Sequence, residues 1–217
     1  MQVAGPTAAL AGVPAGIQGA GPWIGRRQLF VRFAAEAETA TMFTAAALGQ
    51  ELKRLTGRAP YHSIAISGRD PLANADYLAA MFEKEEVPLP VMLDTDGQRP
   101  DELGSIVANL ALLQVTLAGV PTDAAVERAI ASLDRAVKQK VAHALVLCPS
   151  EQTTDAQMLR VVEQAHETCD EAQIVIHPPA GVPLDRDRRW VSLLERAASV
   201  HSDVRLLLAI PFPVGMR

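Results

Sequence analysis

The sequence predicts an α/β protein built on a mainly parallel sheet, and three observations lead to that class. Seven apolar runs of strand length alternate strictly with six helical patterns along the chain. The runs are almost continuously apolar, as suits strands covered on both faces. Hydrophobic residues make up 49% of the 217 and charged ones 21%, enough for one domain with a real core.

The elements follow in order. "RQLFVRF" (27–33) reads as the first strand, and "AAALGQELKRL" (45–55) as a helix closed by Gly57. "HSIAIS" (62–67) leads to a helix over 74–86, with Asn74 in the capping position. "PVMLD" (90–94) leads to "PDELGSIVANL" (100–110), and "ALLQVTL" (111–117) to the longest helix, 121–140, opened by Pro121, Thr122 and Asp123. "VAHALVLC" (141–148) precedes a helix over 153–169, and "AQIVIH" (172–177) one over 188–200. "DVRLLLAIP" (203–211) closes the series. Right-handed crossovers in such a chain give either an open doubly wound sheet or a curled, incomplete barrel, and the periodicity leaves both open. In either, chemistry belongs where strands end and helices begin.

Charge and composition narrow the function classes. A net charge of −5 and 4% aromatics give no surface suited to nucleic acid. Cys148 and Cys169 are too few for a disulfide framework and read as buried thiols in a reducing compartment. The Ala/Gly/Pro-rich lead-in, 1–22, has no basic start and is broken by Pro6 and Pro14, so neither a signal peptide nor a membrane span is expected. The chain is expected to be cytoplasmic, with a single domain over 23–217 and no membrane insertion.

Glu36 and Glu38 follow the first strand, Ser67 to Leu72 the second, and Asp94 to Gly97 the third. Gln114 and Thr116 lie on the fourth strand, His177 ends the sixth, and Arg205 lies on the last. Asp70, Asp94 and Asp96 could converge as oxygen ligands for Mg²⁺. The plainer reading of an Asp before Pro or Gly is turn and cap chemistry. His166, Cys169 and His177 lack the fourth partner that a zinc site needs, and a structural role suits them better. No nucleophile is paired with a base, and no phosphate loop is present.

The motifs nonetheless resemble a known family. "IQGAGPWIGRRQLFVRFAA" is similar to the opening of radical S-adenosylmethionine (SAM) enzymes of the 7-carboxy-7-deazaguanine synthase type, where a "QGEGP…GR…FVR.AGC" stretch leads into C-x3-C-x2-C. "SGRDPL" resembles their Gly-Gly-Glu/Asp-Pro-Leu motif, "LDTDG" their "ETNG" stretch, "LLQVTL" their "MDIKL"-like strand and "DVRLLLAIP" their closing strand. The likeness runs from about Ile17 to the C-terminus. It implies an α/β fold of the incomplete (β/α)6-type barrel, with mainly parallel strands.

The departures fall on the chemistry. Alignment places the three cluster cysteines at Glu36, Ala40 and Phe43, none of which supplies a thiolate. Arg69 replaces the second glycine, Ala20 the glutamate of "QGEG" and Thr116 the lysine of the "DIK" strand. The resemblance thus implies a degenerate ligand pocket formed by Ser67, Gly68, Arg69, Asp70, Asp94, Thr95, Asp96, Thr116 and His177. No iron–sulfur cluster, no SAM binding and no radical catalysis are expected, with Mg²⁺ at the aspartates as the alternative. An Arg69–carboxylate pair, with Glu36, Asp70 or Asp94 as partner, is expected to fill the emptied volume. The expected role is a structural or interaction subunit, homodimeric or held by a protein partner. The rival is a cluster-independent enzyme or a binder of small nucleoside-like or SAM-like molecules.

Overall fold

Seven parallel strands lie side by side in the order in which the chain makes them. The computed structural model describes residues 5–184 and 186–210. The parallel series is β3 (Arg27–Phe33), β5 (Ser63–Gly68), β6 (Val91–Thr95), β7 (Leu112–Ala118), β8 (Ala142–Cys148), β9 (Gln173–Ile176) and β10 (Val204–Leu206), each paired with the next. The last expected strand is thus much shorter than 203–211, and residue 211 lies outside the described residues. Three antiparallel strands complete one mixed sheet: β1 (Thr7–Gly12) and β2 (Ala15–Ile17) both pair with β3, and β4 (Thr41–Thr44) pairs with β1.

Within the segment expected as a lead-in, Thr7–Gly12 and Ala15–Ile17 are therefore sheet. Its alanines and glycines carry little strand propensity. The period-2 burial of Ala8 and Leu10 nevertheless places one edge of β1 in the core.

The crossovers are α1 (Ala45–Thr56), α2 (Ala75–Lys84), α3 (Pro100–Leu103), α4 (Asp123–Lys138), α5 (Asp155–Thr168) and α6 (Arg188–Ala198). Thr44, Thr122 and Thr154 accept backbone N–H bonds at the starts of α1, α4 and α5. Asn74 makes no such bond; it ends a 3-10 turn over Pro71–Asn74 that leads into α2. The helix expected over 100–110 stops after four residues, because Gly104 and Ser105 are weak helix formers and Ile106 and Val107 turn into the core.

A sheet with no reversal of strand order has no switch point, so right-handed crossovers put the helices on one face. The core divides accordingly. Leu29, Val31, Ile64, Ile66, Leu93, Leu113, Val115, Leu145 and Ile174 pack with the buried helix residues in one large cluster. The opposite phase of the strands, Phe30, Ala65, Met92, Leu112 and Ala144, forms a second cluster with no helical residue, touched by Trp23. The second, helix-free face is where polar side chains collect. Among the described residues, no helix is long and apolar enough to cross a membrane.

Candidate functional site

The helix-free face carries the period-2 partners of the core residues, and their polar members gather at the C-terminal half of the strands. Register sets Arg32 opposite Ser67 and Asp94 opposite Gln114. Phe30, Ala65 and Met92 form an apolar patch one step closer to the strand starts. Above them lies a cavity of about 540 Å³, lined by Arg32, Ser67, Gly68 and Asp94, with Gln18, Gly19, Ala20, Ala209 and Ile210 on its far side.

Those far-side residues belong to two chain segments that meet across the face. Gln18 and Gly25 are joined by a backbone bond of 2.8 Å that folds residues 18–26 into a strap after β2. The Ile210 amide donates to Gly19 O at 2.9 Å, and the Gly21 amide donates to Nε2 of His177 at 2.9 Å. Because Nε2 accepts, the ring proton sits on Nδ1, 2.8 Å from Leu207 O. His177 thus ties the end of β9 to both segments, and burial holds its pKa below the ordinary histidine value. Gly21 is required where it stands: its φ is +78°, and a Cβ would fall 1.9 Å from Oε1 of Gln114.

Asp94 is the carboxylate of the cavity. The Thr116 hydroxyl donates to it at 2.8 Å, and among the described residues it has no cationic partner. Burial pushes its pKa up, against the opposing effect of the polar Thr116 and Gln114 side chains beside it. Gln114 is 0% exposed, and neither its amide nitrogen nor its amide oxygen has a hydrogen-bond partner. Cys148, half-buried at the end of β8, is pushed up to about 11 by burial and by the charge of Asp94, so it remains a thiol near neutrality.

The expected pocket residues separate into three groups. Ser67, Gly68 and Asp94 line the cavity, with Thr116 held against Asp94. Arg69, Asp70 and Asp96 instead line an open cleft outside it, together with Arg99 and Arg128. Thr95 and His177 are buried structural residues, Thr95 accepting the Gly97 amide at 3.2 Å. The three aspartates do not meet: among the described residues no group of three metal-ligating side chains forms. Asp96 accepts the Gln98 amide at 3.0 Å in a turn, the plainer of its two expected roles.

The expected Arg69 pair does not form. Asp70, left-handed at φ 42°, gives its carboxylate to Arg99 at 2.8–2.9 Å. Arg69 is exposed and makes no ion pair among the described residues. Only its backbone is engaged, the amide donating to Phe33 O at 3.1 Å. Gly68 beside it has φ +101°, and a Cβ there would come 2.3 Å from the same oxygen.

The loop after β3 is tied by a residue one turn away from the aligned one. Glu38, not Glu36, bonds the Arg32 guanidinium at 2.9 Å and accepts the Ala35 amide at 3.0 Å. Those bonds, the Ala35 amide first, hold the Glu38 carboxyl below the usual range. Glu36 and Ala40 are exposed, while Phe43 lies in β4 with its ring packed on the main core. The two thiols cannot replace a cluster site: Cys148 ends β8, and Cys169 is buried at the far end of α5, also raised to about 11 by burial. Among the described residues, no thiolates gather in the loop after β3.

Of the remaining candidates, His166 is exposed and edge-on to His201, away from His177, and Arg205 pairs with Asp203 at 3.0 Å. Arg32 and Gln18 escaped the expected set, and Gln114 was noted on the fourth strand without a place in the expected pocket. Arg32 and Gln114 were visible as the polar residues of the inward phase of otherwise apolar strands.

No protein-family profile matches the chain. Among curated proteins it is similar to a 7-carboxy-7-deazaguanine synthase of Methanothermobacter thermautotrophicus, 34% identical over 98 residues. The match covers 39% of this chain and 38% of that relative, so the chain spans well under half of the relative's length. This partial homology agrees with the family that the sequence motifs resemble.

Proposed function

We propose that the chain is a radical SAM-like protein without the iron–sulfur cluster, its sheet curled into an incomplete barrel and its strand-end face turned to non-redox use. The loop after β3 carries this reading. Its aligned positions hold Glu36, Ala40 and Phe43, and the loop is tied by the Arg32–Glu38 pair. Radical cleavage of SAM needs an electron from a thiolate-bound cluster, and the aligned positions offer no thiolate to hold one.

Two uses of the retained frame follow. An interaction or structural subunit, in a homodimer or beside a protein partner, is favoured by β4, a sheet-edge strand whose Met42 is 63% exposed. A small-molecule binder is favoured by the cavity, which the Asp94 carboxylate lines without a cationic partner among the described residues, and by the unpartnered Gln114 amide beside Asp94. The second has the stronger support, because unpaired buried polar groups cost stability without adding shape. Free thiols accord with a reducing, cytoplasmic setting.

The test is reductive: protein incubated anaerobically with iron, sulfide, dithionite and SAM is assayed for methionine and deoxyadenosyl products. No turnover above the protein-free control is expected. Stoichiometric or repeated cleavage would overturn the proposal.

A further inference from the structure

We propose that the cavity on the helix-free face binds a small organic cation, an ammonium group carried on an apolar body, with Asp94 as its counter-charge. The inference rests on the binding reading above and names the ligand's chemistry.

Charge balance is the first argument. Among the described residues, the cavity is lined by two ionisable side chains, Arg32 and Asp94. Arg32 is committed to Glu38, outside the cavity, at 2.9 Å. Among the described residues, Asp94 receives one neutral hydroxyl, from Thr116, and no cation. A bound anion would face this unmatched carboxylate, whereas a cation would neutralise it and lift the cost of its desolvation.

The surroundings define the rest of the ligand. Gln114, opposite Asp94 on β7, keeps both amide atoms without partners although the residue is wholly buried. Its side chain lies beside Asp94, and its oxygen, toward Gly21 of the strap, is an unused acceptor among the described residues. Phe30, Ala65, Met92 and Ile210 supply apolar wall around the head-group site, and a volume near 540 Å³ admits a ring or a short chain. An inorganic cation would leave that wall unused.

Benzylamine and its neutral counterpart benzyl alcohol are the probes, titrated calorimetrically into the full chain and into Asp94→Asn. Asn keeps the oxygen that accepts from Thr116, and an unchanged melting temperature checks that the variant is folded. The expected result is binding of benzylamine at least about tenfold tighter than benzyl alcohol, with that preference lost in D94N. Equal binding of the two probes, or a preference that survives D94N, would overturn the cation assignment while leaving a binding pocket in place. Binding of neither probe would overturn the cation assignment, and silence across neutral, cationic and anionic probes alike would overturn the pocket reading with it.

Discussion

His177 sits at a strand end, where catalytic histidines are sought, yet both its ring nitrogens are spent on the backbone of Gly21 and Leu207. That assignment has a pH consequence. Burial lowers its pKa in the folded chain, so below its ordinary value of 6.5 the unfolded chain takes up the proton first. Its stabilisation is fully present above 6.5, falls as the pH drops below that value, and stops falling once the lowered folded-state pKa is passed. His62, also lowered by burial and by Arg26, slopes the same way, so a variant is needed to isolate one share. His177→Ala should cost about 1–3 kcal/mol at pH 8 and flatten the acid slope of the urea midpoint. An unchanged slope would show that the ring is not holding the strap. Asp70 teaches a similar lesson. Its place in the motif suggested a ligand, but the Arg99 that claims it lies 29 residues away and has no sequence mark.

At the scale of the element, caps decide where helices begin, and two helix starts behave differently. Thr154 and Gln157 form a reciprocal capping box at the start of α5, whereas Asn74 makes no cap bond. Thr154→Ala should therefore cost about 1 kcal/mol, and Asn74→Ala less than about 0.5 kcal/mol, both read from chemical denaturation. Equal costs would contradict the assignment. The parallel strands were legible because each is a dense apolar run between turn residues. β1 and β4 were not: "TAALAG" lacks branched residues, and "TMFT" is four residues long, with its place fixed by pairing to β1. α3 was overread because Leu103, Ile106, Val107 and Leu110 keep helical spacing while Gly104 interrupts the backbone.

At the scale of the molecule, a single-wound order leaves one face of the sheet without helices, and there the strap, the C-terminal segment and the polar side chains assemble. Strand alternation sets which residues belong to that face, and the almost continuously apolar runs of the sequence obscured it. The sequence could not show that Arg69 and Asp70 turn into an outer cleft, since that depends on Gly68 and on Asp70's left-handed backbone. Missing thiolates, by contrast, are readable without any structure, and the whole account depends on them. Iron and acid-labile sulfide per chain after anaerobic reconstitution test that dependence most directly. Below about 0.1 iron per chain is predicted, and close to four irons with matching sulfide would contradict the account.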